Sequence, residues 1–454
     1  MKILFVAYIR THFRALISQG DWLRLRGDEV GFYFAARYHG CDEDVRAALE
    51  SGYRVIVFDG AESAVQAVAL WRGRKEPTAF PARSFTGCLL KFCAVKQFYH
   101  ALFARLKPDI VVLPEENIGY LSHLLVQQAH ECDVRVVVTP YTIDNPVEAA
   151  EVQLQNPGCI VRGGLRRIFA RRYPQWMYEH KGVPLFRLPF PAAAAMQFMG
   201  AAPARPWQNI CSFADAVAVE CEALRSQHAG GGVNSAKLRV TGSCALDKMA
   251  AVVRDAEPLK AQLLTELELD PSKPVFLAAI PPDIFKSKQR MVEFIDHAEV
   301  VIFWIETLAA TGWNVVVNLH PHLNPEVIHL GRRPNVRLCL RPVAELLPLC
   351  DVFVACISAT IRWAIATAKP VLNYDLYQYG YEDYRSAPGV VHVTTREEFS
   401  REVTRITNDD AHREQLSLAQ AVVAADWGIL DGGSGGRLLA LFTELLSSKH
   451  SPTT

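Results

Sequence analysis

Two doubly wound α/β domains facing each other across a cleft are the fold the sequence predicts, and three observations lead there. Short apolar runs alternate with amphipathic stretches, once over residues 3–139 and again from residue 238 onward. The runs are apolar throughout rather than at every second position, the pattern of parallel strands covered on both faces. Several runs also exit into loops that carry histidine, carboxylate or hydroxyl groups, and such sheets bind ligands outside the carboxyl ends of their strands.

Taken in order, Ile3–Tyr8 reads as a strand, Phe13–Arg26 as a helix, and Val30–Phe34 and Arg54–Phe58 as strands. In that helix Phe13, Leu16, Ile17 and Leu23 share one face, and Gly27 ends it. A strand at Asp109–Leu113, a helix over 119–131, and strands at Val134–Thr139 and Asp215–Glu220 complete the first series. Gln227–Gly232, with its run of three glycines, reads as a linker. The expected division is therefore a domain over 1–227, a linker over 228–237 and a domain over 238–454. Strands of the second series fall at Leu238–Thr241, Val275–Ile280, Asn314–Asn318, Val336–Leu340, Val352–Ala355 and Val371–Tyr374, with helices between them.

A chain of 454 residues is too long for one ordinary core and suits two domains. Lys plus Arg and Asp plus Glu each total 48, a balance that argues against bulk electrostatic binding to nucleic acid. The 11 cysteines contain no CxxC pair, which points to a reducing compartment and away from a disulfide framework or a zinc site. The apolar run at the N-terminus is too short for a signal peptide, and 184–207, the most apolar long stretch, is broken by Arg187, Arg205 and prolines. The expectation is a cytoplasmic protein, at most peripheral at the inner membrane.

The strand exits hold the chemistry. Glu115-Glu116-Asn117 follows Ile110–Leu113, and adjacent carboxylates raise each other's proton affinity, which suits one of them to general-base work. His12, after the first strand, is positioned either as a catalytic group or as a helix cap. Tyr141, Asn145 and Glu148 leave the next strand on the same side as acceptor-binding material, with a plain Asn-Pro turn at Asn145-Pro146 as the alternative. In the second half, His320-Pro321-His322 ends Asn314–Asn318, where an imidazole donates to a phosphate oxygen or protonates a leaving group. Ser358 and Thr360 open a helix after Val352–Ala355, so their hydroxyls suit an anion as well as simple capping.

Lys286 faces the same phosphate or is a solvated loop residue, and Asp375, ending Val371–Tyr374, suits a ribose hydroxyl. No carboxylate or cysteine cluster accompanies the histidines, so no metal is expected. Asp42-Glu43-Asp44 matches the DxD metal–nucleotide pattern only formally, since it starts a helix in the first half. Arg162, Arg166, Arg167, Arg171 and Arg172, followed by Tyr173 and Trp176, form the one dense basic and aromatic stretch. It fits contact with an anionic lipid or glycan, or a solvated helix face.

This layout resembles the GT-B glycosyltransferases, with their two Rossmann-like domains, over nearly the whole chain. Ala216–Glu220 followed by Arg239–Ser243 and Asp247 resembles the interdomain crossing of that class, and Ser358–Ile361 running to Lys369–Leu372 resembles its donor-binding segment. Asp431-Gly432-Gly433 resembles the C-terminal end of bacterial surface-polysaccharide members, the transferases of lipopolysaccharide and capsule. More narrowly, Glu115-Glu116-Asn117, His320-Pro321 and Ser358-Ala359-Thr360 resemble three motifs of transferases that use CMP-activated sialic acid or related ulosonic acids. Asn117 stands where that family has glycine, and Ala359 separates the two hydroxyls.

The resemblance implies an inverting, metal-independent transferase with no cofactor beyond its nucleotide-sugar substrate, acting on a glycan or glycolipid acceptor. By match, Glu116 is the base, and His320, Ser358 and Thr360 bind the donor phosphate. The acceptor belongs to the first domain and the nucleotide sugar to the second. A UDP-GlcNAc 2-epimerase and a CDP-glycerol-type polyol-phosphate transferase are the rival activities.

Overall fold

A computed structural model describes residues 1–57, 84–141, 143, 145–210, 213–283, 293–320, 323 and 333–448. Seven strands form the first sheet: β1 (Lys2–Ala7), β2 (Glu29–Phe34), β3 (Arg54–Val57), β4 (Ile110–Leu113), β5 (Arg135–Val138), β8 (Ala216–Val219) and β9 (Leu238–Val240). Their order is β3-β2-β1-β4-β5-β8-β9 and every pairing is parallel. Both faces are covered, so β4, Ile-Val-Val-Leu, is buried at every position. A second sheet is likewise all parallel, in the order β12-β11-β10-β13-β14-β15. Its strands are β10 (Val275–Ile280), β11 (Asn314–Leu319), β12 (Val336–Leu338), β13 (Val352–Ala355), β14 (Val371–Tyr374) and β15 (Val390–Val393). The core on one of its faces centres on Trp304, which stacks on Tyr374 at 6.2 Å and Phe399 at 5.6 Å.

The chain divides into two units, and the division differs from the expected one. The first unit holds Met1–Val219, Arg225–Thr241 and the chain from Gly435 onward, whereas the second holds Glu220–Leu224 and Gly242–Ser434. The segment expected as a linker is not one. Glu222–Gly230 is a helix, and Gly232, at φ +87°, closes its end by donating to the Ala229 carbonyl. Leu238, expected to open the second domain, pairs with Val217 in the first sheet. The last helix, Ser434–Ser447, buries Leu438, Leu441 and Phe442 in the first core, and Gly435 lies so close to Trp22 that a Cβ would come within 2.5 Å of the indole.

An antiparallel hairpin of β6 (Met177–His180) and β7 (Val183–Phe186) lies between β5 and β8 in sequence. Its turn uses Lys181 and Gly182, both left-handed, the backbone that a two-residue hairpin turn of this kind requires. In each sheet the chain lays down three strands to one side and then returns to the other side of its first strand, leaving a switch point between β1 and β4 and another between β10 and β13. Crevices at switch points are where such sheets bind ligands.

Candidate active site

At the first switch point, β1 ends at Ala7 and the helix Arg10–Leu25 begins two residues beyond Tyr8, placing His12 in its first turn. Ile9 is the N-cap residue, so His12 does not cap the helix. The imidazole is fully buried, and its Nδ1 accepts the Tyr8 backbone N–H at 3.3 Å. With Nδ1 accepting, the ring proton of the neutral imidazole belongs on Nε2. Nε2 lies 3.3 Å from Oε1 of Glu115 at the exit of β4, an off-axis approach that makes the contact electrostatic rather than a full hydrogen bond. Aromatic rings enclose the pair. Tyr8 and Tyr120 stack at 5.0 Å, and Tyr141 meets His12 edge-on at 4.9 Å.

Four neighbours register the charge of Glu115. Burial first, then that charge, pushes the Tyr141 phenol and the Glu148 carboxyl upward and raises Tyr120 to about 12. Burial and the nearby phenols Tyr99 and Tyr33 raise Tyr8, with Glu115 adding to the effect. Glu148 as a residue is exposed, yet its carboxyl is sufficiently enclosed to feel both causes. Asn117 donates to Glu115 Oε1 at 3.5 Å and accepts from Arg187 Nη2 at 3.0 Å. Arg187 is buried and follows β7 directly, so the hairpin delivers a cation to this crevice. Tyr8, Tyr120 and Arg187 were not singled out from sequence, since nothing local to them marks the crevice.

Glu116, expected as the base, turns the other way. It is fully buried, its Oε1 accepts the Ala214 N–H at 2.7 Å, and its own N–H donates to the Asn209 carbonyl. Successive side chains leaving a strand point to opposite sides, so of the two acids Glu115 meets His12 and Glu116 ties down the segment before β8. Asn145 also has a structural role: it is the N-cap of Pro146–Leu154, with Oδ1 accepting from Val147 N at 2.9 Å.

In the second unit, Ser358 and Thr360 follow β13 at the second switch point, their hydroxyls 2.8 Å apart. The loop is held from three sides. Ile357, left-handed at φ +43°, donates its N–H to Asn373 Oδ1 at 2.8 Å. Asn373 in turn donates to His392 Nδ1 at 3.1 Å, the ring's Nε2–H pointing to the Tyr384 carbonyl at 2.9 Å. The Tyr384 hydroxyl and Arg362 both donate to the Ala359 carbonyl, and Arg362 is ion-paired in the interior with Glu220. Glu220 also accepts from Trp363 Nε1 at 2.9 Å and from Ser243.

His320 follows β11 directly and is half-buried. Pro321, His322 and Lys286 lie outside the described residues. Asp375, expected at a ribose hydroxyl, accepts from Tyr379 N at 3.0 Å and Gly380 N at 2.7 Å, so both oxygens organise its own turn. The DxD-like acids are engaged by Arg10, Arg37 and Tyr38. Among the described residues, no group of three or more His, Cys, Asp or Glu clusters as a metal site, and no helix is long and apolar enough to cross a membrane.

No protein-family model matches the chain, and no curated protein matches its sequence. Solved structures do match its fold. CalG4, the calicheamicin glycosyltransferase, superposes with a TM-score of 0.55 at 14% identity, covering 100% of both chains. The glycosyltransferase of kitacinnamycin gives 0.54 at 13%, covering 97% of this chain and 99% of its own. UDP-GlcNAc 2-epimerase from Neisseria meningitidis, bound to UDP-GlcNAc, gives 0.53 at 13%, covering 98% and 100%. At these identities the likeness establishes the fold, two Rossmann-like α/β units of the GT-B type.

Proposed function

We propose that the chain is a glycosyltransferase that moves a sugar from a nucleotide-sugar donor to a hydroxyl of a glycan or glycolipid acceptor. The carrying observation is the buried His12–Glu115 pair at the β1/β4 switch point of a fold whose solved examples include glycosyltransferases. Glu115 is the general base in this reading, because the proton on His12 Nε2 leaves the carboxylate as the accepting group of the pair. The acceptor hydroxyl gives its proton to Glu115 as its oxygen bonds to the anomeric carbon. The bond from that carbon to the donor phosphate oxygen breaks, and the electron pair departs with the phosphate. Attack opposite the leaving group inverts the configuration.

Ser358, Thr360 and His320 are the groups proposed to take up the phosphate charge, without a metal. General-base help of this kind contributes about 10²–10⁴-fold. Tyr141 and Glu148, beside Glu115, line the acceptor side. The finer reading, a CMP-activated ulosonic acid as donor, rests on the three short motifs and their match to Glu115-Glu116, His320-Pro321 and Ser358–Thr360. Under it the chain works in the cytoplasm on surface-polysaccharide precursors. UDP-GlcNAc 2-epimerization is the second reading, favoured by the epimerase among the similar structures.

Incubation of the full chain with CMP-, CDP-, UDP- and GDP-activated sugars, with and without glycan acceptors, tests the proposal. Nucleotide release that requires an acceptor is the expected result. Conversion of UDP-GlcNAc without an acceptor supports the epimerase instead, and turnover of no donor overturns both.

A further inference from the structure

The helix Gly164–Arg172 buries none of its residues. One side is anchored. The Phe169 ring meets Tyr173 at 5.0 Å, Phe190 at 5.5 Å and Phe186 at 5.7 Å, and Arg166 donates to the carbonyls of Pro157 and Ile160. At 100° per residue, Arg167, Ile168 and Arg171 turn away from that side, with Leu165 and Arg172 on its border. Leu165 is 75% exposed and Ile168 63%. Arg162, Arg167, Arg171 and Arg172 are exposed as well, and none forms an ion pair with a described carboxylate. From Val152 to Tyr178 the chain carries five arginines and no Asp or Glu, on a protein whose net charge is zero.

Unpaired arginines alone would suit any polyanion. Two large aliphatic side chains held in water among them are a different signal, because a soluble anionic glycan would leave them where they are. A bilayer takes both groups, phosphate headgroups meeting the guanidinium ions while the apolar side chains enter the acyl boundary. We propose that Gly164–Arg172 docks the first unit on an anionic phospholipid surface, with Arg162, Arg167, Arg171 and Arg172 on lipid phosphates and Leu165 and Ile168 inserted between them. This inference is independent of the proposed transfer reaction.

Co-sedimentation of the full chain with vesicles tests it, using phosphatidylcholine alone and phosphatidylcholine mixed with phosphatidylglycerol. The chain is expected to sediment with the mixed vesicles, to stay in solution with the neutral ones, and to be released by salt. Each arginine removed lowers vesicle affinity about fivefold, so R167Q/R171Q loses roughly 30-fold. L165S/I168S weakens binding severalfold while leaving its salt dependence. Both variants alter exposed positions and are expected to melt with the parent chain. Equal binding to neutral and anionic vesicles, no binding to either, an R167Q/R171Q variant that binds like the parent, or capture by soluble heparin without capture by vesicles overturns the proposal.

Discussion

Nε2 of His12 lies 3.3 Å from Oε1 of Glu115, joining the exit of β1 to the exit of β4, with the imidazole fully buried and Glu115 4% exposed. The two residues are far apart in the chain and adjacent only because the sheet returns to the other side of its first strand. The contact gives the neighbouring acids different expected roles.

Glu115→Gln is therefore expected to lower kcat by about 10²–10⁴-fold with little change in melting temperature. Glu116→Gln retains most turnover, since an amide oxygen still accepts the Ala214 N–H. Glu116→Ala leaves that N–H buried without its acceptor and costs roughly 1–3 kcal/mol of stability. Steady-state kinetics and thermal melts on the three variants check this assignment. Loss of turnover in Glu116→Gln with none in Glu115→Gln would return the base to Glu116.

Nucleotide affinity is expected to depend on the exits of β11 and β13 and not on the first unit's crevice. A hydrogen bond to a charged phosphate contributes ~1.5–3 kcal/mol, so His320→Ala and Ser358→Ala each weaken nucleotide binding by roughly ten- to a hundredfold. Calorimetry with the nucleotide that binds the parent chain is the measurement. Equal losses in Glu115→Gln would show that the nucleotide sits elsewhere. Full binding and turnover in excess EDTA are expected in the same experiments.

His123 supplies an acid-stability prediction. It is completely buried, its ring nitrogens find no partner among the described residues, and burial pulls its pKa down to about 3. Between the ordinary imidazole value and about 3, the unfolded chain takes up a proton that the folded chain refuses. Stability therefore falls as pH drops through that window, by up to about 1.4 kcal/mol per pH unit, and the contribution levels off below it. His123→Leu should show a shallower acid loss in urea titrations at stepped pH. His228, lowered to about 4 by burial, keeps part of the slope in that variant. An unchanged slope would mean that His123 takes up its proton in the folded state.

Glu220 and Arg362, each 3% exposed, form a buried ion pair on which Trp363, Ser243 and the Ala359 carbonyl converge. Removing one partner strands the other charge, so Glu220→Ala is expected to cost about 3–5 kcal/mol. Because Arg362 also holds Ala359, the variant should lose nucleotide affinity at temperatures where it is still folded. Melting followed by calorimetry separates the two effects.

The strands were legible because a parallel strand buried on both sides is apolar at every position, a property of a few consecutive residues. For the same reason the exits of β1, β4, β11 and β13, and the residues that stand at them, could be located from sequence. The hairpin β6–β7 and the edge strand β15 escaped: Met177–His180 carries Glu179 and His180, His392 interrupts Val390–Val393, and both segments are only partly buried.

What the sequence by itself determined is thus the alternation of elements and the identity of groups at the strand ends, because burial and turn chemistry act locally. Tertiary structure alone decided that Glu115 and not Glu116 meets His12, that Asp375 is occupied by its own turn, and that Arg187 reaches Asn117. It also decided that Leu238–Val240 and the last helix belong to the first unit. An edge strand and an apolar helix face go wherever backbone partners and an uncovered core await them. For Leu238 and Phe442 those were β8 and the first core, which no local pattern names.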